Sequence, residues 1–131
     1  MGPVGWSIGA VVRLFAVGRV AAGVALLARP EMLARGMRID SGTAHRTGWM
    51  ARMLGVRDLA LGAGTLYALT RGGQPRPWLV LSAAADAVDA ATLAGALRRG
   101  QVAVPPAALG AGMAAVSVAV HLAIAAGPDE E

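Results

Sequence analysis

Five charged residues, Arg19, Arg57, Asp58, Asp86 and Asp89, each fall inside a long apolar stretch of this chain. Asp86 and Asp89 are three positions apart, so on a helix they share one face. Carboxylates beside guanidiniums in such a setting have two uses. They can form ion pairs that only specify how helices pack, or they can build a polar site for a ligand, an ion or a proton. Two arginines against three aspartates leave one carboxylate in excess. Either Arg13 or Arg52 joins them, or one Asp keeps its proton, because burial disfavours the ionised carboxyl.

Other chemistry is less well supported. The run Asp86-Ala87-Val88-Asp89 offers two carboxylates to a divalent cation, too few for a cage unless substrate phosphates complete it. The flanking pattern that membrane phosphatidyltransferases carry around such aspartates is missing. Ser117 and His121 are four apart and can touch on a helix, as a nucleophile and its base do. A Ser in a membrane helix usually bonds its own backbone, however, and His121 lies close to the end of its stretch. No phosphate-binding loop, dinucleotide fingerprint or HExxH zinc pattern is present. The expectation is therefore no catalytic residue, no metal and no cofactor.

The elements that position these charges are four apolar stretches, at about residues 8–28, 48–70, 77–97 and 104–126. Each is close to the ~20 residues that cross ~30 Å of hydrocarbon. Arg, Pro and Gly punctuate the joints: Arg29-Pro30, then Arg71-Gly72-Gly73, Arg98-Arg99 and Gly127-Pro128. The segments are rich in Ala and Leu, which favour helix. A spanning strand would be shorter and would alternate in polarity. In the longest connection, residues 30–36 (PEMLARG) read as a short interfacial helix with Pro in its first turn and Gly after its end. Met32, Leu33 and Met37 would rest on the acyl boundary while Arg35 and Arg38 reach headgroups. Asp40-Ser41-Gly42 reads as a turn.

Arg76 and Arg98 bound the third stretch tightly, so Asp86 and Asp89 fall near mid-depth. Arg19 does the same in the first stretch, and Arg57-Asp58 lies inside the second. A central charge opposes insertion by ~2.5–3.5 kcal/mol, against ~0.3–0.6 kcal/mol gained per central Leu or Val. The second stretch is marginal alone and needs partners. With helices alternating in direction, Arg19, Asp58, Asp86 and Asp89 reach similar depth, and an Arg/Asp cluster between the first three spans follows. Small residues also form stripes: Gly5 and Gly9; Ala83, Ala87 and Ala91; Gly110, Ala114 and Ser117. They allow close helix packing, within one bundle or in a dimer.

Composition agrees. The chain has 131 residues, 56% of them hydrophobic and 15% charged, and a mean hydropathy of +0.56. A soluble domain carries about a quarter charged residues. The length fits one domain. There is no cysteine, which excludes disulfides and thiolate metal sites. All 12 basic residues are Arg, spread along the chain with few aromatics between them, unlike a nucleic-acid stripe. The N-terminus lacks a basic n-region, and Arg13 and Arg19 interrupt the apolar run, so it reads as a retained helix rather than a signal peptide. Trp6 stands where a myristoylation motif needs Ser or Thr.

Residues 18–30 (GRVAAGVALLARP), 55–62 (GVRDLALG) and 86–90 (DAVDA) together resemble a family of small bacterial four-helix membrane proteins of unknown function. They also bear a broader likeness to DoxX-like membrane proteins. The resemblance would cover most of the chain. It implies that Arg19, Arg57, Asp58, Asp86 and Asp89 match the family's polar positions, and it supplies no activity. High Ala, Gly and Arg content without Lys also suits a high-GC bacterium.

The resulting expectation is an all-α, four-helix transmembrane bundle with short loops, in the cell membrane. Its partners are the bilayer and either a lipid-like small molecule or a membrane protein, with no nucleic acid. The leading functional reading is non-enzymatic, an accessory subunit or a binder of a lipid-like molecule. The runner-up is a DoxX-like enzyme or redox-associated component acting on a lipid or quinone. A minimal transporter, working only as an oligomer, is a third. The Arg-rich side carries Arg29, Arg35, Arg38, Arg46, Arg98 and Arg99 and is expected in the cytoplasm, which puts both termini outside.

Overall fold

Helix dominates because each apolar stretch is Ala- and Leu-rich and ends at a residue that stops a helix. A computed structural model describes residues 7–127. Among them are five helices and no strand: α1 (Ile8–Ala28), α2 (Glu31–Gly36), α3 (Ser41–Thr70), α4 (Arg76–Arg98) and α5 (Val104–Ala125). The expectation about Gly5 lies outside the described residues.

Two helix ends differ from the sequence reading, each for a local reason. The second long helix begins at Ser41 rather than near residue 48. Asp40 caps it, its carboxylate accepting the Thr43 N–H at 2.9 Å. Hydrogen bonds from Thr43, first from its side chain and then from its backbone N–H, hold the Asp40 carboxyl below its ordinary value of 3.8. The run 40–42 is thus a helix start, not a free turn. In α2, Gly36 is the last helical residue, and the left-handed position after it belongs to Arg38, at φ 57°. There the Arg38 N–H donates to the Arg35 carbonyl and the Ile39 N–H to the Ala34 carbonyl, the paired bonds of a Schellman ending. Gly72 and Gly100 hold the same backbone position after α3 and α4, without the Cβ conflict that Arg38 bears.

α1 lies antiparallel against α3, and α4 lies antiparallel against α5. The α1–α3 contact is a seam of small residues stepping in heptads. Ala16, Gly23 and Pro30 advance along one strand of the seam while Gly62, Gly55 and Gly48 run back along the other. A Cβ on Gly62 would stand 2.6 Å from the Ala16 carbonyl oxygen, and one on Gly23 would stand 2.7 Å from that of Gly55. The backbones therefore meet with no side chain between them, the geometry that small residues permit in lipid. Gly64 yields in the same way to the ring of Trp78 on α4.

Large apolar side chains lie mostly on the outside. Leu14, Val24, Met53, Val56, Leu81, Val88, Leu109, Met113 and Val116 are exposed, while the buried positions are chiefly Ala and Gly with Asp86, Ser82, Thr65 and His121 among them. α1, α4 and α5 are long and apolar enough to cross a membrane. α3 is the longest helix, at 30 residues, or ~45 Å at 1.5 Å per residue. Arg46, Arg52, Arg57 and Asp58 lie along it, and it is not among the three helices apolar enough to cross. Pro30, just past the end of α1, sits beside Gly48. The first two turns of α3 therefore project beyond α1, and α2 packs on that projection through Ala34 and Ala44, both buried.

Candidate functional site

The five charges meet in one layer at mid-height, where the α1–α3 pair faces α4. Arg19 on α1 reaches Asp58 on α3 at 2.9 Å and also pairs with Asp86 on α4. It donates a longer bond, 3.4 Å, to the Ser82 carbonyl. Arg57 on α3 clasps Asp89 with two parallel bonds, Nη1 to Oδ1 at 2.8 Å and Nη2 to Oδ2 at 2.7 Å. It also touches its neighbour Asp58 at 3.1 Å. Such fork-on-fork geometry is the strongest arrangement for this pair of groups. One cost remains, since the Arg57 Nε–H is buried without an acceptor.

The two aspartates on one face of α4 have different surroundings. The Asp86 side chain is 10% exposed and ties α1, α4 and α5 together, whereas that of Asp89 is 31% exposed and ties α4 to α3 alone. The difference follows from rotation: Asp86 points between the helix pairs, and Asp89 sits toward their edge.

α5 contributes more than the sequence suggested. The Ser117 hydroxyl donates to Asp86 Oδ2 at 2.6 Å. His121 Nδ1 lies 2.7 Å from the Ser117 carbonyl, which only accepts, so Nδ1 carries the hydrogen. The same Nδ1 is 3.1 Å from the Ser117 hydroxyl and 3.9 Å from Asp86 Oδ2. His121 is not near water as its position by the end of α5 implied. It is 3% exposed, its ring set edge-on against Phe15 of α1, centroids 5.2 Å apart. This also revises the charge count. Among the described residues, neither Arg13 nor Arg52 forms an ion pair with the cluster. The group placed to balance the extra carboxylate is His121, when protonated. The only sequence signal for it was the i, i+4 spacing of Ser117 and His121.

The order of groups is carboxylate, hydroxyl, imidazole. In a nucleophilic triad the imidazole stands in the middle and takes the hydroxyl proton. Here that proton is directed to Asp86, which Arg19 already engages, and the near imidazole nitrogen is a donor. Ser117 is thus arranged as a hydrogen-bond donor and not as an activated nucleophile. No protein-family model, curated protein or solved structure matches this chain. Asp86 and Asp89, weighed as cation ligands, are engaged by guanidiniums. Among the described residues no group of three or more His, Asp and Glu is gathered that could hold a metal ion.

Above the network a crevice of about 480 Å³ opens between α1 and α5. Leu14, Phe15, Gly18 and Ala22 form one wall, Met113 and Ala114 the other. Arg19, Asp58, Asp86 and Ser117 form its floor. A second apolar groove, of about 530 Å³, continues from it along α5 past Leu109, Gly112 and Val116, sharing Phe15, Met113 and Ser117. A bound molecule would meet long apolar walls and a short polar base in which Arg19 is shared between Asp58 and Asp86.

Proposed function

We propose that the chain is a multi-pass membrane protein that holds a lipid-like molecule in the crevice between α1 and α5, with the Arg/Asp network as its polar base. In this reading α3 is the fourth crossing. Its Met53, Val56 and Tyr67 face outward, while Arg57 and Asp58 turn toward partners on α1 and α4. That arrangement lowers the cost of carrying charge through hydrocarbon. The observation that carries the functional reading is the crevice itself. It is apolar along its length, polar only at its base, and open on the surface where acyl chains would lie. Pockets for small molecules commonly take this form, with few polar groups fixing orientation. Because the Ser117 proton is committed to Asp86, binding without chemistry is favoured over the enzymatic alternative, a DoxX-like component acting on a lipid or quinone.

The test is co-purification. Protein is extracted in mild detergent, and bound molecules are identified by mass spectrometry for the wild type and for Gly18→Trp. Gly18 lines the crevice and a Cβ there meets nothing within 4 Å, so a side chain at this position has open space at its base. The expected result is one class of intact lipid-like molecule, lost in the variant. Identical lipid profiles for both proteins would sink the reading. A chemically altered molecule in the wild type would favour the enzyme, and a stoichiometric second polypeptide would favour an accessory subunit.

A further inference from the structure

A separate cavity lies at the Arg-rich end of the bundle, in the elbow where α2 folds back on α3. Its volume is about 400 Å³. Arg35 enters it from α2, and His45 and Arg52 from α3, over a base that includes Pro30, Ile39 and Ala44. Among the described residues none of these three basic side chains has a hydrogen-bond or ion-pair partner. That is the reverse of the mid-height cluster, where each guanidinium is matched. Glu31 supplies the lining's one carboxylate, outweighed by two guanidiniums, and Ser41 brings the first turn of α3, the positive end of a long helix, to the same cavity.

Depth identifies what such a cavity would meet. Gly48 lies beside Pro30, two residues past the end of α1. This level is therefore the boundary of any hydrocarbon that α1 crosses. Arg52 is one turn inside it, and Arg35 and His45 are just beyond. Trp49 and Met50 are exposed on α3 at the same level, and Met32 and Leu33 on α2. A Trp among apolar side chains is the expected neighbour of a headgroup layer. Guanidiniums are planar forks that match phosphate oxygens two at a time. We infer that this elbow cavity binds a phosphate-bearing anion, through Arg35 and Arg52 with His45 beside them. The anion is either the headgroup of an acidic phospholipid or a soluble phosphate. The site depends neither on α3 being a crossing nor on an occupant in the α1–α5 crevice.

The experiment uses the purified full chain in nonionic detergent, with native mass spectrometry after addition of phosphatidylglycerol or phosphatidylcholine, and a parallel titration with inorganic phosphate. The variant is Arg35→Gln with Arg52→Gln. The control, Arg98→Gln with Arg99→Gln, removes the same charge from the α4–α5 turn on the same side. Both Arg35 and Arg52 are exposed and unpartnered, so their loss leaves no charge stranded, and Arg35→Gln alone serves if the double variant does not fold. Preferential retention of phosphatidylglycerol is expected, weakened about fivefold for each guanidinium removed and unaffected in the control. Inorganic phosphate bound with the same dependence, in the absence of a lipid preference, would support the site and name a soluble source. Equal loss in variant and control would reduce the effect to bulk charge and overturn the inference, as would the absence of binding in both arms.

Discussion

Asp86 and Asp89 sit on the same face of α4, yet their removal should have unequal consequences. Asp86 is buried and answers Arg19, Ser117 and, at longer range, His121. Asp89 is a third exposed and answers Arg57 alone. Losing one member of a buried pair leaves an uncompensated charge, a cost of roughly 3–5 kcal/mol. Asp86→Ala should approach that range, with Asp89→Ala well below it, in thermal or denaturant unfolding in detergent. Arg57→Ala combined with Asp89→Ala should cost less than the two single losses added, because the double variant strands neither charge. Arg57→Ala with Asp86→Ala, which share no direct bond, should come closer to additive. Equal coupling in both combinations would contradict the pairing described above.

The α1–α3 seam depends on having nothing at Gly62, Gly55 and Gly23. A Cβ at Gly62 would stand 2.6 Å from a backbone oxygen that cannot swing away as a flexible side chain can. Gly62→Val should therefore force the helices apart and cost about 1–3 kcal/mol, the range for overpacking. Gly112→Ala on α5 is the matched contrast. A Cβ there meets nothing within 4 Å, and Ala is better than Gly in a helix by about 1 kcal/mol. Unfolding midpoints in detergent should fall for the first and hold or rise for the second. A neutral Gly62→Val would mean that α1 and α3 are not packed backbone to backbone. The seam also holds Arg19 and Asp58 one step from its axis, so the ion-pair layer relies on it for register.

At the scale of the molecule, Arg29, Arg35, Arg38, Arg46, Arg98 and Arg99 gather at one end of the bundle, beyond α1 and around the elbow of α2. Arg71 and Arg76 stand at the other end, with Arg13 nearby in α1. If the chain crosses four times, the positive-inside rule directs the crowded end to the cytoplasm and both termini outward. A C-terminal alkaline phosphatase fusion should be active and a green-fluorescent fusion dark. The reverse pattern would refute this orientation. Gln at Arg29, Arg35 and Arg38 together should weaken the preference while leaving the helices intact, as cysteine accessibility from the two sides would report.

Helix positions were legible because helix ends are local. A capping carboxylate, a left-handed Gly or a Pro acts on backbone groups within one turn, and α1, α4 and α5 end within a residue of where those signals put them. The start of α3 is less legible, because the polar and charged residues 41–47 read as loop while Asp40 marks a helix cap equally well. The mid-depth placement of Arg19, Arg57, Asp58, Asp86 and Asp89 was legible for a similar reason, since each is counted from the nearest end of its own helix. What spacing along the chain left open is how each helix turns about its axis. That rotation is decided by the glycine seam between α1 and α3 and by the fit of α5 on α4, contacts between residues far apart in sequence. It selects Asp89 for Arg57, gives Asp86 to Arg19, brings Ser117 and His121 into the layer, and leaves the crevice between α1 and α5 unfilled.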